Sequence, residues 1–147
     1  MPKKSSTSPT ARTLKELARQ GYLAGVVERR LPTIDPKTKK PSSFLKDLFG
    51  FIDIIAIKDD VTLGVQATSR ANMSARVAKI QAEPNARRWL LGQCRRRIEV
   101  WGWAKYKEGN SLRWRQTVVE VTLDGVTKTT VPTMPKRLLN KQKTLFS

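Results

Sequence analysis

The chain has 147 residues, enough for one domain with a buried core. Its 29 Lys and Arg outnumber 12 Asp and Glu, a formal charge of +17 that costs self-repulsion and points to a polyanionic partner, nucleic acid first. The absence of histidine and the single cysteine, Cys94, exclude His-ligated zinc, histidine-based catalysis and an internal disulfide, leaving hydrolysis to carboxylates with a metal or to Lys and Tyr chemistry.

Residues 1–9, rich in Ser, Lys and Pro, read as a disordered basic tail, and the lack of an apolar leader-like run there predicts a cytoplasmic protein. No apolar run is long enough to span a bilayer, so no membrane partner is expected. From Thr10, TARTLKELARQG spaces Leu14, Leu17 and Ala18 as a helix stopped by Gly21. YLAGVVERRL reads as a first strand ending near Pro32, and TIDPKTKKPSS as a polar loop. Two strands are predicted at 48–57 and 61–69, joined by the tight KDD segment. NMSARVAKIQAE then predicts a helix capped by Asn72, with Met73, Val77 and Ile80 on one face. After Pro84, ARRWLLGQ is a second helical piece, followed by two strands, RRRIEVWGWAKY and SLRWRQTVVEVTL, separated by KEGN. The expected fold is α/β: a central mixed β-sheet flanked by helices over residues 10–131, followed by a basic tail at 132–147.

The strand GFIDIIAI carries an aspartate at its centre. Alternation places Phe51, Asp53, Ile55 and Ile57 on one face and Ile52, Ile54 and Ala56 on the other. Both faces are apolar, so Asp53 is at least partly desolvated, and an unpartnered buried carboxylate is costly. A turn of two or four residues sets Asp53 opposite Gln66, with Cβ atoms about 5 Å apart. The same register sets Gly64 opposite Ile55 and Thr68 opposite Phe51; a three-residue turn would separate the pair. Two readings stay open: the Gln66 amide simply donates to Asp53, or both oxygens face a divalent cation such as Mg²⁺ or Mn²⁺, whose shell nucleic-acid phosphate completes.

An aspartate, a short hairpin, then an acid or amide resembles the signature of PD-(D/E)XK nucleases, here carried by GFIDIIAI and LGVQATS over about residues 10 to 105. The layout is similar to resolvase-type and phage-type endonucleases, including archaeal Holliday-junction resolvases. The resemblance implies a restriction-endonuclease-like fold and a Mg²⁺- or Mn²⁺-dependent DNA endonuclease acting on branched DNA as a homodimer. It implies that Asp53 binds metal, that Gln66 fills the second acidic position and that Glu28, in preference to Glu16, completes the set. Thr68 stands where the family has its lysine, a departure that implies Lys79, or Arg76 beside it on the same helix, reaching back into the site. Asp47 reads as a loop or strand-entry residue. The alternative is a non-catalytic DNA-binding accessory protein with a degenerate site.

RRWLLGQCRRR gathers Arg87, Arg88, Arg95, Arg96 and Arg97 into the densest positive patch, read as a phosphate-contacting DNA surface against the plainer reading of a solvated helix end. Trp101 and Trp103 share a face with Glu99 and Lys105 and read as core beneath the helices rather than a base-stacking surface. Trp114, between Arg113 and Arg115, is the candidate surface aromatic, or part of a dimer interface.

Overall fold

The computed structural model describes residues 7–92 and 95–129. The expected tail at 132–147, residues 1–6 of the N-terminal tail and Cys94 lie outside the described residues. The first helix, α1 (Pro9–Arg19), begins one residue earlier than its apolar spacing indicates, because Ser8 caps it through a side-chain bond from Ala11 N (3.1 Å) and Pro9 suits the first turn.

The long first strand expected through Pro32 is two. β1 (Leu23–Val26) ends where Val27 N and Glu28 N both turn to donate to Asp53 O. β2 (Arg29–Ile34) then pairs with β3 (Pro41–Lys46), so much of the expected loop is a hairpin whose tip is residues 35–40. The strand expected at 48–57 is likewise shorter. Phe49 (φ 55°) and Gly50 (φ 85°) reverse the chain in the left-handed region, Leu48 bridges Ile52, and β4 (Ile54–Lys58) starts after Asp53. Asp53 therefore sits at the strand's entrance, and Phe51, within the turn, cannot pair with Thr68.

β5 (Val61–Ser69) pairs with β4 through a two-residue turn at Asp59 and Asp60, placing Ile55 opposite Gly64 as anticipated. A 3₁₀ turn (Arg70–Asn72) leads into α2 (Met73–Ala82); the Asn72 side chain makes no cap bond. α3 (Pro84–Leu90) follows, capped instead by Glu83, which accepts from Asn85 N at 3.2 Å. β6 (Arg95–Glu108) and β7 (Ser111–Thr122) form a long hairpin, and β8 (Gly125–Thr129) adds an edge strand that the apolar pattern does not announce.

The fold is α/β, with a mixed six-stranded sheet ordered β1-β4-β5-β6-β7-β8 in which only β5 and β6 run parallel. Alternation along β6 divides the core between two faces. Ile98 and Val100 pack with Met73, Ile80 and Ala86 of α2 and α3, while Trp101 and Trp103 pack with Leu17 of α1. The two tryptophans are core, as expected, and Trp103 Nε1 donates to Thr13 Oγ1 at 2.9 Å. Ile52 joins Phe51 on the α2–α3 face instead of following Ile54, since strand alternation has not yet begun at that point. Among the described residues no helix is long and apolar enough to cross a membrane.

Candidate metal centre

Four segments bring acidic and amide groups together on the α2–α3 side of the sheet. Asp53 is fixed first by its backbone: its N–H donates to Val65 O (3.0 Å), and its carbonyl accepts from Val27 N (2.8 Å) and Glu28 N (3.3 Å). The second bond sets Glu28 beside it. The turn after β3 carries Asp47 back over the same point. Glu28, Asp47 and Asp53 each offer a carboxylate oxygen lying within 4.8 Å of the others. Asp53 is buried, while Glu28 and Asp47 are half-buried.

Gln66 Nε2 donates to Asp53 Oδ2 at 2.7 Å and more weakly to Asp47 Oδ2 at 3.5 Å, and Ala67 N also donates to Asp53 Oδ2 at 3.1 Å. The hairpin register thus makes the acid and the amide converge as the sequence indicates. The bond of the purely structural reading is present, yet Gln66 Oε1 is buried with no partner among the described residues. An orphaned buried acceptor is expensive unless a cation or an ordered water meets it. Lys79 Nζ reaches from α2 to Asp47 Oδ2 at 3.2 Å.

Burial, together with the hydrogen bond and negative charge of Asp47, pushes the Asp53 carboxyl up from 3.8 to about 7. Burial also acts against the Asp47 charge, but its hydrogen bonds with Asp53 and Lys79 and the Lys79 charge hold it below its ordinary value. The pair shares a proton unevenly, as neighbouring carboxyls in a shielded site must.

The all-oxygen donor set of three carboxylates fits a hard divalent cation such as Mg²⁺ or Mn²⁺, while Gln66 turns its amide nitrogen toward two of them. Two sequence-based assignments change. Asp47, expected to be a plain loop residue, belongs to the cluster; the reversal at Phe49 and Gly50, which alternation does not reveal, delivers it there. Glu16, the alternative to Glu28, is taken by Arg19 (2.5 Å) and Gln20 (3.2 Å) on α1. Thr68 is buried on the same β5 face as Gln66, and Arg76 is half-buried one turn before Lys79.

The arginine patch is less open than its sequence suggests. Arg97 is held by Glu120 and lies 3.6 Å from Glu99, so its charge balances two acids across β6 and β7 and is not free for phosphate. Arg95 pairs with Asp60 (3.3 Å), and Arg96 lies 5.6 Å from the Trp89 ring centre. Arg87 and Arg88 are exposed on α3. Trp114 keeps 39 % of its surface, with Arg12 stacked 3.5 Å from its ring centre.

Comparison with known proteins returns no matching family model, no matching curated protein and no matching solved structure.

Proposed function

We propose that the chain is a metal-dependent endonuclease of the PD-(D/E)XK kind, with a restriction-endonuclease-like fold, hydrolysing phosphodiester bonds in DNA. The observation that carries this reading is the convergence of Glu28, Asp47 and Asp53 within 4.8 Å of one another, beside Lys79, in a protein of charge +17. A cluster so acidic is costly to leave uncompensated, and the remaining surface favours a polyanion. The helix-first order and the β4–β5 hairpin presenting Asp53 and Gln66 agree with the layout of that superfamily.

Glu28, Asp47 and Asp53 would hold the cation. Bound there, a divalent ion supplies charge neutralisation at phosphate and a water of lowered pKa. Gln66 Nε2 and Ala67 N hold one oxygen of Asp53 and so fix the plane of its carboxyl. Asp47 positions the Lys79 ammonium at the rim, where it can donate to a phosphate oxygen and oppose the charge that builds there. Lys79 thereby takes the part of the lysine that Thr68 cannot play.

The test incubates the chain with duplex, single-stranded and branched DNA plus Mg²⁺ or Mn²⁺, alongside Asp53→Ala. Cleavage lost in the variant supports the endonuclease. Metal-independent binding with no cutting by the wild-type chain would refute it in favour of a DNA-binding accessory protein.

A further inference from the structure

The ribbon of β2 and β3 stands apart from the main sheet. Among the described residues its strands pair only with each other, and eleven of their twelve residues are exposed. A lone two-stranded ribbon has no core to justify it energetically. Residues 29–46 carry Arg29, Arg30, Lys37, Lys39, Lys40 and Lys46 against a single acid, Asp35. None of these cations is ion-paired among the described residues. Asp35 is engaged within the tip turn itself, its carboxylate accepting from Lys37 N at 2.8 Å. Both feet of the ribbon run directly into the acidic cluster: Glu28 precedes Arg29, and Asp47 follows Lys46. Paired residues share a face, so one side presents Arg29 with Lys46, then Leu31 with Phe44, then Thr33 with Ser42.

We propose that this ribbon is an arm that lies in the major groove of duplex DNA and holds a phosphodiester at the carboxylate cluster; the second half of the proposal rests on the endonuclease reading. Six paired positions at about 3.4 Å each span roughly 20 Å, about six base pairs of B-form duplex. The major groove of DNA, about 12 Å wide, admits a two-stranded ribbon, whereas the deep, narrow major groove of duplex RNA does not. The cations would meet phosphates along the groove walls, and the hydroxyl and apolar pairs would face base edges. A protein partner fits poorly, because charge is depleted at the centre of protein interfaces and this ribbon concentrates it.

The test measures binding of the full chain, in chelator, to a labelled DNA duplex, an RNA duplex of the same sequence and a single strand, across a salt series. The triple variant Lys37→Gln, Lys39→Gln, Lys40→Gln is compared with the corresponding triple arginine variant. For duplex DNA the glutamine variant should lower the slope of log K against log salt by about 3, roughly one per lysine, and weaken binding about tenfold or more at low salt. Its melting temperature should match wild type, arginine should restore the slope, and RNA duplex should bind weakly in every variant. An unchanged DNA slope, RNA duplex bound as tightly as DNA, or arginine failing to restore the slope would overturn the arm. So would concentration-dependent dimerisation abolished by Phe44→Ser, which would give the face to a second copy of the chain. Because chelator is present, binding is scored independently of the metal centre. An altered slope alongside cleavage insensitive to Asp53→Ala leaves the arm and removes the endonuclease; an unaltered slope with Asp53-dependent cleavage does the reverse.

Discussion

Replacing Asp53 with Asn should make the metal-free protein more stable while abolishing its response to Mg²⁺. The amide is isosteric with the protonated carboxyl: its oxygen can accept from Gln66 Nε2 and Ala67 N, and its nitrogen can donate to Asp47. In wild type that carboxyl is raised from 3.8 to about 7 by burial and by Asp47. At about 1.4 kcal/mol per pH unit, ionising it in place costs about 4 kcal/mol at most. Relaxation and water entry reduce such ceilings, so about 2 kcal/mol is expected, or about 4–8 °C in Tm for a chain of this size. The sign follows from linkage. A carboxyl whose folded pKa is raised destabilises nothing below its unfolded value near 3.8; the penalty grows as pH rises and is complete above about 7. Thermal unfolding in chelator should therefore show the variant ahead of wild type near about pH 8 and level with it near about pH 4. Addition of Mg²⁺ at about pH 8 should then raise wild type and leave the variant unmoved. An Asn variant that melts below wild type at alkaline pH, or whose advantage persists at acid pH, would refute the claim that Asp53 is a strained buried acid.

Three further substitutions probe separate parts of the structure. Lys79→Ala should lower the cleavage rate about a hundredfold or more with little change in Tm, because its ion pair with Asp47 is half exposed; an unaltered rate in a timed cleavage assay would remove it from the site. Arg97→Ala should cost about 2 kcal/mol, between an exposed and a fully buried pair, because it leaves Glu99 and Glu120 facing each other. The salt slope for duplex DNA should not change, and a fall in that slope without loss of Tm would return Arg97 to the DNA surface. Gly102→Ala should destabilise by about 1–3 kcal/mol in denaturant titration, since a Cβ there would run into the Met73 thioether and lie 3.1 Å from Arg70 Cα; a neutral change would show that the start of α2 can shift.

What the sequence makes legible is what depends on strand period and hairpin length. The alternation in GFIDIIAI, and the short turn at Asp59 and Asp60, suffice to bring Asp53 to Gln66. Glu28 is conspicuous because a charge flanked by valines needs a local reason, and the Asp53 carbonyl supplies it by turning the chain there. Asp47 is hidden because its position depends on left-handed backbone at Phe49, a bulky residue that gives no warning of such a turn. The β2–β3 ribbon is hidden for a related reason: Pro32 and the polar run after it resemble a loop, and only the register from Arg29 opposite Lys46 to Ile34 opposite Pro41 makes them strands. The engagement of Arg97 is hidden because linear density in the arginine patch says nothing of partners, and Glu120, which holds it, is 23 residues away.

The main-chain bonds of Asp53 have a practical consequence. Its amide and carbonyl tie β5 to the segment after β1 whatever side chain stands at that position. Scaffold and side-chain chemistry are thus separable at a single residue, so a variant that lacks the Asp53 carboxylate should keep its shape. On the endonuclease reading proposed above, such a version would serve as a decoy that holds DNA intact for direct observation.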